Sequence, residues 1–137
     1  MKSVAFLQWS GEELRFEGGT PNGPRAVVDG NGKAGPSPVT MLLVSIAACT
    51  ASDVVDIARK MRIALRTLEL DVDAERADDH PRRLLRANLG FRVTGGVEGD
   101  ETKLQHAIDL SREKYCSVLH SLRQDIVVTT SLSFEPA

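Results

Sequence analysis

The reactive side chains of this sequence are its two cysteines, Cys49 and Cys116. Cys49 lies in the most hydrophobic stretch, SIAACTAS, where a cysteine can pack as a small apolar residue, bind a metal or act as a nucleophile. A nucleophile must be a thiolate, and an apolar setting disfavours that anion unless a cation or backbone amides compensate. Asp53, four residues later, would oppose the charge if it faced the sulfur. Cys49 taken alone therefore favours inert packing and leaves the other two roles open.

Cys116 lies where a helical pattern breaks, in EKYCSVLHSL. If 117–122 restarts as a helix, Cys116 sits at or near its amino end, where free amide donors stabilise a thiolate. A disulfide between the two cysteines needs Cα atoms within about 7 Å, and their separation in sequence neither requires nor forbids this. One cysteine on a helix and one at a helix junction are compatible with a peroxidatic and resolving pair.

Other kinds of site have weaker support. Cys116 and His120 could share a helical face, but a closed zinc site would need two further ligands, with Cys49 and His106 as the obvious ones. The chain has no CxxC or HExxH motif, so we expect no metal. No GxSxG elbow supports a serine hydrolase, and GNGKAG matches neither the phosphate loop nor the dinucleotide fingerprint.

Composition narrows the class of protein. The 137 residues are enough for one domain, 1–137, and the low aromatic content of 4% predicts an aliphatic core. A net charge of −2 without a basic cluster gives no electrostatic footprint for nucleic acid. Two cysteines are too few for a disulfide scaffold.

The amino terminus and the apolar stretch bear on location. MKSVAFLQWS lacks the continuous apolar region and cleavage site of a signal peptide. Residues 34–52 carry no charge, yet their densely apolar part, 39–51, has a length more typical of a buried core helix than of a membrane span. We therefore expect a cytoplasmic protein with no membrane partner.

The periodicity of apolar residues predicts the elements that position the cysteines. Short strands in the first third are separated by the turn signal PNGP, and DGNG follows as either a tight hairpin or a flexible loop. Ser37-Pro38 then suits the start of a long helix that should be buried on most sides. A long antiparallel hairpin over 63–95, a second helix and a last strand complete an α+β domain with helices on one side of an antiparallel sheet.

The neighbourhoods of the two cysteines, taken together, resemble the OsmC/Ohr family of thiol-dependent hydroperoxide reductases. GPSPVTMLLVSIAACTASDVVDIARKM is similar to the family's proline-started central helix with its reactive cysteine, and KYCSVLHSL to its second cysteine motif. ERADDHPRRLLRANLGFRVTG also fits the strand pair between them. The likeness extends from about Val27 to the carboxyl terminus and is strongest to an OsmC-like branch.

The resemblance implies the OsmC-like fold, with antiparallel sheets packed on a long central helix. It implies an intertwined homodimer with active sites between subunits, which would explain the nearly all-apolar helix. It also implies that Cys49 attacks a small-molecule hydroperoxide and becomes a sulfenic acid, and that Cys116 condenses with it to a disulfide. An external dithiol would reduce that disulfide, and no cofactor is implied. The aliphatic surroundings favour organic hydroperoxides as substrates.

The sequence departs from the family pattern at the groups that activate the thiol. Active members carry a glutamate nine residues before the first cysteine, where this chain has Thr40, and a paired arginine where the alignment places Val27. The glutamate and the arginine are absent together, which is self-consistent, because the loss of only one would leave an unpaired buried charge. Thiolate activation would then come from Arg25, Lys33 or helix-end amides.

Three hypotheses follow from these observations. The leading one is a thiol peroxidase that uses Cys49 and Cys116, with Arg25, Lys33 and Thr40 as supporting residues. The second is a non-enzymatic protein of the same fold that binds a small hydrophobic ligand, without the family's arginine–glutamate pair. The third is a structural protein with two inert cysteines.

Overall fold

The computed structural model describes all 137 residues, which fall into two compact units, 1–44 and 45–137. The boundary between the units lies inside the first helix. The elements along the chain are β1 (Phe6–Trp9), β2 (Arg15–Gly19), β3 (Arg25–Asp29), α1 (Pro38–Lys60), β4 (Leu65–Arg76), β5 (Leu84–Gly95), α2 (Asp100–Leu110), a π-helical turn (Ser111–Tyr115), α3 (Ser117–His120) and β6 (Val127–Glu135). The α+β composition predicted from periodicity is confirmed, while the expectation of a single domain stays a prediction.

The first unit holds an antiparallel sheet in the order β1-β2-β3. The PNGP segment forms the turn between β2 and β3, as its turn residues predict. Gly19 is required at the end of β2, because a side chain there would place a Cβ only 2.4 Å from the Pro24 carbonyl oxygen.

The sequence suggested either a tight hairpin or a flexible loop after β3. The segment is neither, because it is a loop held by specific hydrogen bonds. The carboxylate of Asp29 accepts hydrogen bonds from the amides of Asn31 and Ala34, both at 2.9 Å. Asp29 also donates its own amide to the Pro36 carbonyl at 3.0 Å. One buried carboxylate thus ties the loop into an asparagine/aspartate-type turn, a use of aspartate that hydrophobic periodicity does not report.

Helix α1 begins as predicted, with Ser37 accepting the Thr40 amide at 3.2 Å and Pro38 as its first residue. Its burial differs from the prediction. Within the single chain the buried residues form one stripe: Ile46, Thr50, Val54 and Ala58. The rest of the chain does not fully cover the apolar side chains on the other faces, so part of the apolar surface of the helix stays exposed.

By length and composition α1 also meets the requirement for a membrane span, with a mean hydropathy of 1.8 over its most apolar 18 residues. Core helices of water-soluble proteins meet the same requirement. A single helix of this kind is therefore weak evidence for a membrane location.

The second unit holds a three-stranded sheet in the order β4-β5-β6. Strands β4 and β5 form the predicted long antiparallel hairpin, in which Leu70 lies opposite Phe91. Strand β6 runs parallel to β5, so the sheet is mixed and the expectation of a purely antiparallel sheet is wrong on this point. The physical reason is the long connection through α2 and α3, because a crossover of that length lets the chain return in the same direction.

The core of the second unit is aliphatic, as the scarcity of aromatic residues predicts. The buried face of β5 and the inward face of α2 supply most of it: Ala87, Leu89, Phe91, Val93, Leu104, Ala107 and Ile108. Helix α2 leads directly into the π-helical turn, and this turn ends at Cys116.

Candidate active site

Cys49 is carried by α1, where it is only partly buried. Its neighbour Thr50 belongs to the buried stripe of the helix and has no exposed surface. Adjacent residues on a helix point about 100° apart, so a buried Thr50 places Cys49 at the edge of the stripe. The Cys49 thiol therefore stands between the interior of the unit and the surface.

Cys116 is fully buried and is held by its backbone on both sides. Its amide donates to the Ser111 carbonyl at 2.8 Å across the π-helical turn, and its carbonyl accepts from His120 at 3.1 Å. At Cys116 the chain becomes extended (φ −70°, ψ 100°) and caps α3, whose Leu119 amide donates to the Cys116 sulfur at 3.5 Å. The predicted place of Cys116 at the start of a helix is confirmed.

The two cysteines meet, and both are free thiols. Burial is the largest influence on the Cys116 thiol and raises its pKa, and a hydrogen bond and negative charge at Cys49 act in the same direction. The side chains of Cys49 and Cys116 are therefore hydrogen-bonding neighbours. Two thiols in this arrangement can share a proton and can be joined by oxidation.

Thr50 is a third member of the site. Its hydroxyl lies 2.8 Å from the Ile46 carbonyl and 3.6 Å from the Cys116 sulfur, and it is buried together with Cys116. Hydrogen bonds from Leu119 and Thr50 each lower the pKa of Cys116, against the effect of burial. No sequence pattern singled out Thr50, since a threonine in an apolar helix ordinarily bonds only to the carbonyl four residues earlier.

A second polar contact connects the same two segments. The Ser111 hydroxyl donates to a carboxylate oxygen of Asp53 at 2.7 Å. Asp53 lies one helical turn after Cys49, and Ser111 begins the π-helical turn that ends at Cys116. The carboxylate that seemed unfavourable for a thiolate is thus engaged by a serine, and it ties the Cys116 segment to α1.

The three supporting residues predicted from the sequence lie in the first unit. Arg25 is exposed on β3, where its guanidinium contacts Gln8 at 3.0 Å and Glu17 at 3.3 Å and covers the Phe6 ring at 4.9 Å. Lys33 is exposed in the loop organised by Asp29, and Thr40 is exposed in the first turn of α1. Their action on Cys49 stays a prediction.

The metal-ligand set considered for Cys116 and His120 does not assemble. No group of three or more histidine, cysteine, aspartate or glutamate side chains is placed to hold a metal ion. His120 instead lies at the end of the short helix α3, in the last turn.

Comparison with known proteins places this arrangement in a family. The sequence profile of the OsmC-like protein family matches residues 30–131, which include α1, both cysteines and most of β6. Protein YhfA of Escherichia coli strain K12 is 38% identical over 128 residues, covering 93% of this chain and 94% of that protein. The resemblance inferred from the cysteine motifs is thereby confirmed.

Solved structures agree with this assignment. A hypothetical protein from Aquifex aeolicus VF5 superposes with a TM-score of 0.87 at 28% identity, covering 100% of this chain and 99% of that one. The organic hydroperoxide resistance protein OsmC from Legionella pneumophila has the same fold, with a TM-score of 0.67 at 16% identity and coverage of 97% of each chain. The chain belongs to the OsmC-like protein family.

Proposed function

We propose that the protein is a thiol-dependent peroxidase that reduces organic hydroperoxides through Cys49 and Cys116. The observation that carries the proposal is the contact between these two free thiols, one partly exposed and one fully buried. A hydroperoxide can reach the sulfur of Cys49, and Cys116 is in place to react with the product. Membership of a family that includes an organic hydroperoxide resistance protein supports the same chemistry.

The reaction is a two-electron exchange at sulfur. The Cys49 thiolate attacks the terminal peroxide oxygen, the O–O bond breaks, and the alkoxide takes a proton and leaves as an alcohol. The resulting sulfenic acid is attacked by the Cys116 sulfur, which forms the disulfide and releases water. An external dithiol then restores both thiols and becomes a disulfide itself.

The different environments of the two thiols support one assignment of the peroxidatic and resolving roles. Cys116 is buried and its pKa is raised, so it stays a neutral thiol near neutral pH. Cys49 is the more exposed of the two cysteines, so a peroxide meets it first. Cys49 is therefore the peroxidatic cysteine in this proposal, and Cys116 is the resolving one.

The family assignment and α1 together support a homodimer. An apolar helix that buries one stripe within its own chain leaves exposed apolar surface, such as that of Val44, which a second copy can cover. We further propose a cytoplasmic location with no membrane or nucleic-acid partner, the last because the net charge of −2 comes without a basic cluster.

A second function is favoured by one observation, the absence of the glutamate that active relatives carry where this chain has Thr40. Without that residue and its paired arginine, the same fold could bind a small hydrophobic ligand without turning it over. Native mass spectrometry of the purified protein separates the two functions. A retained apolar ligand together with thiols inert to peroxide would favour binding.

The direct test is steady-state turnover of an organic hydroperoxide, such as cumene hydroperoxide, with dithiothreitol as the dithiol. We expect turnover by the wild type and none by Cys49→Ser. Cys116→Ser should retain one rapid oxidation per chain and then depend on the external thiol for resolution. Wild-type turnover no faster than that of Cys49→Ser would refute the peroxidase.

A further inference from the structure

Thr50 has one hydroxyl proton and two acceptors for it. The Ile46 carbonyl lies at 2.8 Å and the Cys116 sulfur at 3.6 Å, within the longer range that hydrogen bonds to sulfur occupy. The Ile46 carbonyl is also the acceptor for the backbone amide of Thr50 in a regular helix, so it stays satisfied if the hydroxyl turns away. The Thr50 hydroxyl can therefore rotate and donate its proton to the Cys116 sulfur when that sulfur becomes a thiolate.

Accessibility decides which sulfur an external thiol can attack when the two cysteines are joined. Cys116 has no exposed surface, whereas Cys49 is partly exposed. A reductant must therefore attack the Cys49 sulfur, and Cys116 must be the leaving group. The leaving thiolate then appears at a buried position, where an anion without donors is costly.

We propose that the Thr50 hydroxyl, with the Leu119 amide, forms a two-donor pocket that receives the Cys116 thiolate when the disulfide is reduced. The inference rests on the proposed disulfide cycle and adds a residue to it. Both donors already point at the Cys116 sulfur in the reduced protein, at 3.6 Å and 3.5 Å. They are positioned for the charge before it forms, as donors that stabilise a developing anion must be.

Reduction of the disulfide proceeds by two successive thiol–disulfide exchanges. A thiolate of the external dithiol attacks the Cys49 sulfur, a mixed disulfide forms, and the Cys49–Cys116 bond breaks with its electron pair on Cys116. The second thiol of the reductant then closes on its own mixed disulfide and expels Cys49. The dithiol loses two electrons and two protons, the protein disulfide gains two electrons, and Cys116 and Cys49 each leave as a thiolate that takes up a proton from solvent.

Ionisation of Cys116 fits this role. Burial raises its pKa and so makes it a poor leaving group, while Leu119 and Thr50 lower it. Cys49 is the ionisable side chain that acts on Cys116, and it raises the pKa. Since a thiol of lower pKa leaves faster, removal of a donor should slow reduction of the disulfide.

The test compares Thr50→Val, which keeps the shape of the side chain and removes the donor, with Thr50→Ser, which keeps the donor. The disulfide is formed with diamide rather than peroxide, so the measurement does not depend on peroxidase activity. Reduction by dithiothreitol is followed by alkylation and mass spectrometry. We expect Thr50→Val to be reduced about three- to tenfold more slowly than wild type, and Thr50→Ser to be within about twofold of it.

A second readout separates electrostatics from packing. In a Cys49→Ser background, the pH profile for ionisation of Cys116, followed by the ultraviolet absorbance of the thiolate, should move to higher pH in Thr50→Val and stay in place in Thr50→Ser. Thr50→Ala replaces Thr50→Val if the valine variant does not fold. Equal reduction rates with an unmoved profile would overturn the two-donor pocket. Failure of peroxide to make a disulfide that diamide does make would instead count against the peroxidase alone.

Discussion

At the scale of single residues, the site is governed by the different environments of two like side chains. Cys116 is fully buried, and its raised pKa follows mainly from the cost of placing an anion there. Cys49 lies at the edge of the same region and remains accessible. The same chemical group is thus a fully buried thiol at one position and a partly exposed thiol at the other.

The raised pKa of Cys116 predicts a pH dependence of stability. Below the pKa of a thiol in the unfolded chain, near 8.5, both states keep the proton and the contribution is fully present. As pH rises from there through the folded pKa, the unfolded state ionises first, so the free energy of unfolding falls. Urea denaturation at pH values from about 7.5 to about 10, which bracket that thiol pKa, should show a steeper fall of the free energy of unfolding with pH for wild type than for Cys116→Ser. Parallel curves would contradict the assignment.

The carboxyl of Asp29 predicts the opposite dependence. Hydrogen bonds from the amides of Ala34 and Asn31 lower its pKa, so its contribution is present above the unfolded value, near 3.9, and is lost as pH falls through the folded one. Asp29→Asn should therefore be less stable than wild type at neutral pH, and the difference should shrink in acid. A difference independent of pH would show that shape rather than charge holds the loop.

The residues of the site differ in how far sequence could identify them. Cys49 alone favoured packing, and it became a candidate nucleophile only through the second cysteine and the resemblance of both motifs to one family. Thr50 could not be found, because its bond to Cys116 depends on how α1 meets the segment after α2, which no local pattern encodes. Ser111 could not be found either, because its partner Asp53 is 58 residues away in the sequence.

At the scale of elements, the π-helical turn and α1 together determine where Cys116 lies. Such turns insert one extra residue into a helix and shift the side chains that follow, and they are frequent at functional sites. Here the shift ends α2 with Cys116 in extended backbone, and Ser111 fixes the turn to α1 through Asp53. That hydrogen bond joins the segment of Cys116 to the helix that carries Cys49.

Ser111→Ala tests the attachment. It removes the donor from a partly exposed carboxylate and is expected to lower the free energy of unfolding by about 1 kcal/mol, as for other lost hydrogen bonds. It should also slow formation of the Cys49–Cys116 disulfide by diamide, because the turn is less firmly held. The control is Ser121→Ala, whose hydroxyl bonds to the Ser117 carbonyl on an exposed surface. Equal effects of the two substitutions on disulfide formation would remove the special role of Ser111.

Local sequence patterns predicted the elements better than their pairing. The cap at Ser37 and Pro38 and the alternation in β4 and β5 gave helix and hairpin correctly, because these signals are local. The parallel pairing of β6 was missed, since strand direction is decided by the path of the whole crossover. The extent of burial of α1 was also misjudged, because burial depends on what covers a face as well as on its composition.

At the scale of the whole molecule, the surplus apolar surface of α1 is the feature that one chain leaves unexplained. A helix apolar on most sides with one buried stripe is typical of a protein that completes its core with a partner. The family resemblance implies the same answer, and the proposed substrate would then bind near an interface.

Val44→Glu tests this assembly. Val44 is 49% exposed on α1, and a carboxylate buried at a helix interface without a partner should weaken a dimer by at least about tenfold. The control is Val97→Glu, a valine that is 66% exposed outside the helices. Sedimentation equilibrium should show twice the chain mass of 14.9 kDa for wild type and Val97→Glu, and a shift toward the single chain for Val44→Glu. A wild type that sediments as one chain would refute the dimer.

Intact mass after one equivalent of cumene hydroperoxide most directly tests the proposal that peroxide oxidises Cys49 and that Cys116 then forms the disulfide. Wild type is expected to lose the mass of two hydrogen atoms as the disulfide forms. Cys116→Ser should gain one oxygen atom, and Cys49→Ser should not change. An unchanged wild type, or a Cys49→Ser variant oxidised as fast as wild type, would contradict it.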